Sequence, residues 1–345
     1  MIRLSICIAT LNRAEFIGQT LGSILPQMTN EVELIVVDGA STDGTDRMVA
    51  DLFAGHRNCH YHRLPKKGGV DLDYCRTVER AVGEFCWLMT DDDLIKPWAV
   101  KRILENLSAN LDLLLLNSEV ANITCSQILY AKRLQSESDT IFYPEQQPEL
   151  LAVAGDLLSF IGTVVIRRTL WIARNSRPYL GTEFVHVGMI FQKPLEKNTY
   201  ILAQPLIRIR YGNAQWAQRA FEIWMLKWPS LIWSFPHLPA AAKDKVICRE
   251  PYRQLRYLVL MKARGCFGWQ EYKRFLSGKH FGWIYRISAM SLAAFPEIPF
   301  NALARLIFLI LAPQLGWNQM IWEDLRVSPY NYPKQNRLKA EKRHV

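Results

Sequence analysis

Three consecutive aspartates, Asp91, Asp92 and Asp93, follow a short apolar run, and they carry the clearest chemistry in the chain. Adjacent carboxylates at the end of a buried strand repel one another, so something cationic should offset them. Carboxylate oxygens suit a hard divalent cation, Mg²⁺ or Mn²⁺, shared with the phosphates of a substrate. Capping of the helix that begins near Pro97 accounts for one of these carboxylates, Asp93, but not for three. A second polar cluster runs from Asp38 through Gly39, Ser41 and Asp43 to Thr45. It reads as a tight turn leading into a capped helix, with Asp38 free to act as a ligand. A third, Thr10-Leu11-Asn12-Arg13, follows the first apolar run.

These clusters sit where alternating elements should place them. Apolar runs at 4–9, 32–38, 59–64, 85–90 and 111–117 predict buried strands. Helical spacing at 14–25, 42–53, 71–82 and 97–107 fills the intervals, with Gly83 as a stop and Pro97 in a first turn. Strand alternating with helix predicts an α/β fold with a mostly parallel sheet and helices on both faces. Ligands of such sheets bind beyond the carboxyl ends of the strands, where the polar clusters lie. Further on, 122–130, 162–168 and 200–211 predict strands, 136–148 a loop and 148–158 a helix. After Gly212 the chain becomes helical and rich in aromatic and basic residues.

SICIATLNR, IVVDGASTDGT and GEFCWLMTDDD, in this order and spacing, resemble the nucleotide-binding half of family 2 glycosyltransferases with the GT-A fold. The resemblance covers roughly the first 120 residues. Within the family, the Thr-Asp-Asp-Asp form and its Gly-Glu-Phe-Cys-Trp lead-in are most similar to abequosyltransferase-like bacterial O-antigen and capsule enzymes. The resemblance implies that Ala9, Thr10 and Asn12 line the nucleotide pocket and that Asp38 meets a pyrimidine base. It gives Asp91 a place near the ribose and makes Asp92 the direct ligand of Mn²⁺ or Mg²⁺, with Asp93 assisting through water. Many relatives carry an arginine on the preceding helix, where this chain has Tyr74. Asp71 or Asp73 could contact the nucleotide or sugar instead, or both could be first-turn residues favoured by the helix dipole.

The resemblance also implies transfer, with inversion at the anomeric carbon, from a nucleoside diphosphate sugar to a saccharide on a polyprenyl diphosphate lipid. That reaction needs a base for the acceptor hydroxyl. Glu183 is the best candidate, although it also reads as a helix cap and lacks the Asp that usually follows. His186 lies one turn on and is a second candidate, against the commoner structural role of a lone histidine. Arg208 and Arg210 alternate with isoleucines, so they share one strand face and meet the diphosphate, the acceptor or solvent.

Charge divides the chain. Residues 1–214 hold 22 Lys/Arg and 24 Asp/Glu, whereas 215–345 hold 20 and 8, so the +10 excess lies wholly in the last part. That region, with Trp216, Trp224, Trp228, Trp233, Trp269 and Trp283, suits an anionic membrane interface. Within 298–312, Phe300, Leu303, Leu306, Ile307, Ile310 and Leu311 fall on one helical face, compatible with a core helix or a membrane-surface helix. Seven cysteines without a CxxC pair fit a reducing compartment. Together these features predict a catalytic domain at 1–213, a helical acceptor- or membrane-associated region at 214–333 and a basic tail at 334–345. The expected place is the cytoplasm, peripheral on the inner face of a bacterial membrane. A nucleic-acid partner also suits basic and aromatic residues, but leaves the acidic strand ends unexplained; none is expected. A nucleotidyltransferase would want a Gly-rich phosphate loop after the first strand. A catalytically inactive assembly partner is the remaining alternative.

Overall fold

The computed structural model describes residues 1–315 and 319–327. The basic tail expected at 334–345 lies outside them. Ten strands form one sheet: β1 (Leu4–Thr10), β2 (Val32–Asp38), β3 (Cys59–Arg63), β4 (Phe85–Met89), β5 (Leu94–Ile95), β6 (Leu111–Ala121), β7 (Ile128–Tyr130), β8 (Thr140–Phe142), β9 (Val164–Arg167) and β10 (Asn198–Arg210). Along the sheet the order is β3-β2-β1-β4-β9-β6-β10-β5. β3, β2, β1 and β4 are parallel, as are β6 and β10, whereas β9 runs antiparallel to both β4 and β6.

The parallel half contains the sheet's reversal. The chain builds outward from β1 to β3, then crosses to the other side of β1 to lay down β4. The crevice between the carboxyl ends of β1 and β4 is therefore a topological switch point, the place where α/β sheets open to ligands. Ile8 pairs with Met89 and Thr10 with Asp38. That register sets Thr10, Asp38 and the residues just past Met89 side by side.

Sequence pattern explains why these strands are interior. LSICIAT, VELIVVD and FCWLM are almost wholly buried, as strands covered on both faces must be. Their side chains join one core containing Leu4, Ile6, Ile8, Val36, Phe85 and Trp87, each of the aliphatic and Phe members contributing about 1.5–3 kcal/mol by burial. The Trp87 indole donates to the Gly162 carbonyl at 2.7 Å. Helices α1 (Ala14–Ile24), α2 (Thr45–Phe53), α3 (Val70–Arg80) and α4 (Ala99–Asn106) link these strands. α5 (Gln147–Leu158), α6 (Arg168–Ile172) and α7 (Val185–Phe191) follow. The segment 136–148, expected as a loop, contains β8, which borrows its ladder from β10.

The chain divides into two compact units, Met1–Arg210 with Leu231–Val246, and Tyr211–Ser230 with the residues from Ile247 onward. The expected boundary at 213/214 misses the return of Leu231–Val246 to the first unit. Apolar contact explains that return: the Phe235 ring lies 6.4 Å from Tyr179 and 5.7 Å from Phe191, and Val246 fills the space over Gly155. The second unit is helical around a core with Phe221, Leu258, Phe267 and Leu276.

Candidate active site

The loops after β1 and β2 are stitched together by side chains that sequence had read as nucleotide contacts. Asn12 adopts φ 53°, the left-handed region that Asn tolerates better than most residues. Its amide donates to Ser41 Oγ at 2.8 Å, and its Oδ1 accepts the Thr42 amide at 2.8 Å. Asp38 is fully buried. Its Oδ1 accepts the amide and hydroxyl of Ser41 at 2.8 and 2.7 Å, and its Oδ2 accepts the Tyr61 hydroxyl at 2.6 Å. The Asp38 carboxylate thus holds Ala40 in its left-handed turn at φ 73°. Ala9 and Thr10 contribute the end of β1 beside it, with Thr10 buried.

The three aspartates after β4 have different surroundings. Asp93 is buried; it accepts the Thr90 hydroxyl at 2.5 Å and the Arg210 amide at 2.6 Å. It ties the acidic loop to the end of β10 and so acts as an anchor. Arg210 completes the joint by donating to the Asp92 carbonyl at 2.7 Å and to Gln19 at 2.7 Å. Arg208 donates to Glu119 at 2.5 Å. Neither arginine takes the diphosphate-facing place their alternation had allowed.

Asp91 and Asp92 remain as a pair, with side chains 12% and 14% exposed. Arg13 bridges them, Nε 3.4 Å from Asp91 and Nη2 3.3 Å from Asp92. Its guanidinium lies 5.8 Å from the Phe16 ring, and Arg210 lies 5.1 Å from the same ring. Arg13, named in the third polar cluster but given no role there, makes this bridge. The signal was present, because three carboxylates demand a cation and Arg13 follows the neighbouring strand. Tyr74, at the place of the expected arginine, is buried and donates its hydroxyl to the Met89 carbonyl at 3.1 Å. Burial and then the negative charges of Asp91, Asp92 and Asp93 hold that phenol well above its ordinary range.

The start of α3 organises a second group. Asp71 is buried; its Oδ2 accepts the amides of Gly181 and Glu183 at 2.7 and 2.9 Å, and its Oδ1 accepts that of Val185 at 3.0 Å. Asp71 is therefore a clamp on the 181–185 loop rather than a nucleotide contact. The loop needs one, because Glu183 is held at φ 74°, a costly conformation for a residue with a side chain. Asp71 and Tyr74 are one turn apart on the same helix, about 4.5 Å of rise. α3 thus ties the Glu183 loop to the end of β4 that carries the acidic pair. Asp73 is also buried, bonded to Arg76 at 2.9 Å and to the Gly68 amide at 3.3 Å. His186 is buried in α7, with Nε2 2.8 Å from the Leu158 carbonyl. Burial pushes its imidazole down to about 4 despite that bond. A neutral, enclosed ring has no path to an acceptor hydroxyl, so His186 is a packing residue.

Electrostatics make the acidic pair unusual. Burial, with Asp92 beside it, pushes the Asp91 carboxyl up to about 7 against the pull of Arg13. The folded value exceeds the ordinary 3.8, so the folded state binds this proton more tightly than the unfolded state. Stability therefore falls as pH rises from about 4 to about 7. Asp91→Asn removes that loss. In thermal unfolding without metal or nucleotide, the variant should exceed the parent at pH 8 by roughly 3 °C or more. The gain should shrink at pH 5, where the parent is already protonated. A variant no more stable at pH 8 contradicts the assignment.

Comparison with known proteins agrees with this geometry. The profile of Glycosyl transferase family 2 matches residues 5–169. Abequosyltransferase RfbV of Salmonella typhimurium is 26% identical over 297 residues, covering 79% of this chain and 87% of the relative. The putative teichuronic acid biosynthesis glycosyltransferase TuaG of Bacillus subtilis is 28% identical over 101 residues, 29% of this chain and 40% of that protein. Among solved structures, S. aureus TarS 1-349 in complex with UDP superposes with a TM-score of 0.56 at 16% identity, over 95% of this chain and 90% of that one. Mannosyltransferase PcManGT from Pyrobaculum calidifontis, in complex with GDP-Man and Mn²⁺, gives 0.53 at 14% identity, over 95% and 86%. The curled, mostly parallel sheet is the GT-A fold, residues 5–169 match the model of Glycosyl transferase family 2, and the chain is a glycosyltransferase.

Proposed function

We propose that the chain moves a glycosyl group from a nucleoside diphosphate sugar to a hydroxyl of a lipid-carried saccharide during bacterial surface polysaccharide synthesis. The observation that carries this reading is the Asp91–Asp92 pair at the switch point, bridged by Arg13. Its oxygen donors fit Mg²⁺ or Mn²⁺. Among the described residues no three His, Cys, Asp or Glu side chains are grouped to hold a metal, so diphosphate oxygens would complete the shell. The relative TuaG, named for teichuronic acid biosynthesis, supports a role in building a surface polysaccharide.

In this reading Asp92 holds the cation and Asp91 lies beside it. The cation would offset charge on the departing diphosphate. Arg13 is already fixed between the carboxylates, so it meets that growing charge without reorganising. The Asp38–Ser41 turn and Asn12 present a rigid edge to the base. Glu183, set by the Asp71 clamp, takes the proton of the acceptor hydroxyl.

Two measurements test this. Isothermal titration with UDP, GDP, CDP and dTDP should show one diphosphate binding in a Mn²⁺-dependent manner, with that dependence lost in Asp92→Ala. Absence of binding by all four, with and without metal, refutes the donor site. Asp71→Asn should lower kcat by roughly 10²-fold through misplacement of the Glu183 loop, while nucleotide affinity stays within about threefold, because the clamp faces the acceptor side. An unchanged kcat in Asp71→Asn or in Glu183→Gln removes Glu183 from the base role.

A further inference from the structure

We infer that two consecutive helices of the second unit, Trp283–Ala294 and Glu297–Leu315, form a face that docks into the surface of an anionic phospholipid bilayer. The inference extends the lipid-carried acceptor of the proposed function to a specific surface. No single described helix is long and apolar enough to cross a membrane, and these two meet at 99°. Such a pair lies in the interface rather than spanning it.

Both helices turn apolar side chains outward. In the first, Trp283 is 73% exposed, and Ile284, Ile287 and Met290 share its side. Ala289 and Ala293 point inward. In the second, Leu303, Leu306, Ile307 and Ile310 are exposed at i, i+3, i+4, i+7 spacing, Ile310 at 59%. A soluble helix of this pattern would bury that stripe. Here the opposite side is buried instead, and polar bonds fix the choice. Asn301 donates to the carbonyls of Ala263 and Leu325 at 2.9 and 3.1 Å. Phe308 stacks on Trp322 at 5.6 Å. Rotating the helix to hide its leucines would break those two buried bonds.

The corner between the helices is pinned as well. Lys262 is fully buried and donates to the Ala293 carbonyl at 3.2 Å and to Glu297 at 2.9 Å. Two adjoining helices are thus locked with their apolar sides outward, and contiguous exposed apolar area of this kind marks an interaction surface.

Charge identifies the occupant. Between residues 255 and 310, every charged side chain that is exposed is basic: Arg256, Lys273, Arg274 and Arg286. The two acids of that stretch are engaged internally, Glu271 by the Gly268 amide at 2.8 Å and Glu297 by Lys262. Trp269 and Trp283 are exposed, and such rings favour the headgroup level of a membrane. A second copy of the chain would bring like charges together, whereas an anionic bilayer complements them.

Vesicle flotation of the full chain tests the inference, using phosphatidylglycerol–phosphatidylcholine vesicles and pure phosphatidylcholine vesicles, both free of saccharide lipids. The parent should float with the anionic vesicles, and less so at high salt. Ile287→Ser/Leu306→Ser/Ile310→Ser should lower the partition at least about tenfold while thermal unfolding and nucleotide binding stay unchanged. A parent that floats with neither vesicle overturns the inference whatever the variant does. A parent that is dimeric, with a monomeric variant, assigns the face to a second copy and also overturns it. Nucleotide binding is read separately, so its loss with flotation intact refutes only the donor site.

Discussion

Like charge crowded at the end of a buried strand is the constraint on which the first unit turns. Asp91, Asp92 and Asp93 follow β4 at the switch point, and water cannot solvate all three. Each finds a different settlement. Asp93 is tied to Thr90 and to the end of β10. Asp91 and Asp92 share Arg13 from the neighbouring strand end. Burial and the neighbouring Asp92 push the Asp91 carboxyl up to about 7 against the pull of Arg13.

The supporting residues use the same economy of buried hydrogen bonds. Asp38, Asp71 and Asp93 each bind two or three donors of nearby loops. Each set of bonds fixes a loop that would otherwise be free at a strand end. Three carboxylates thus build the frame around the Asp91–Asp92 pair.

The strand–helix alternation was legible in sequence because both periods are short-range. β1, β2, β4 and α1 fall within a residue or two of expectation. The acidic triplet and the strand-end clusters were legible for the same reason, since parallel sheets put chemistry at strand ends. What the sequence did not separate was ligand from anchor. Asp71 and Asp92 are the same residue type, and only the third dimension shows that three amides of the 181–185 loop surround one of them. His186 likewise reads as a base until its enclosure is seen. Arg13 is local to its motif, yet its partners lie about 80 residues away. The return of Leu231–Val246 to the first unit depends on contacts with Phe191 and Gly155 that no local pattern announces. In the second unit the sequence does not separate core from surface tryptophans: Trp228 is core whereas Trp283 is exposed.

The central claim is that Asp91 carries a proton near neutral pH until metal and donor arrive. Calorimetry of metal–donor binding in two buffers of different ionisation enthalpy measures that proton directly, with the donor being the sugar of whichever nucleotide binds. The account predicts proton release near pH 6.5 that falls away toward pH 8.5, where Asp91 is already ionised, and that is absent in Asp91→Asn. Binding without proton release across that range, or release unchanged in Asp91→Asn, would contradict it.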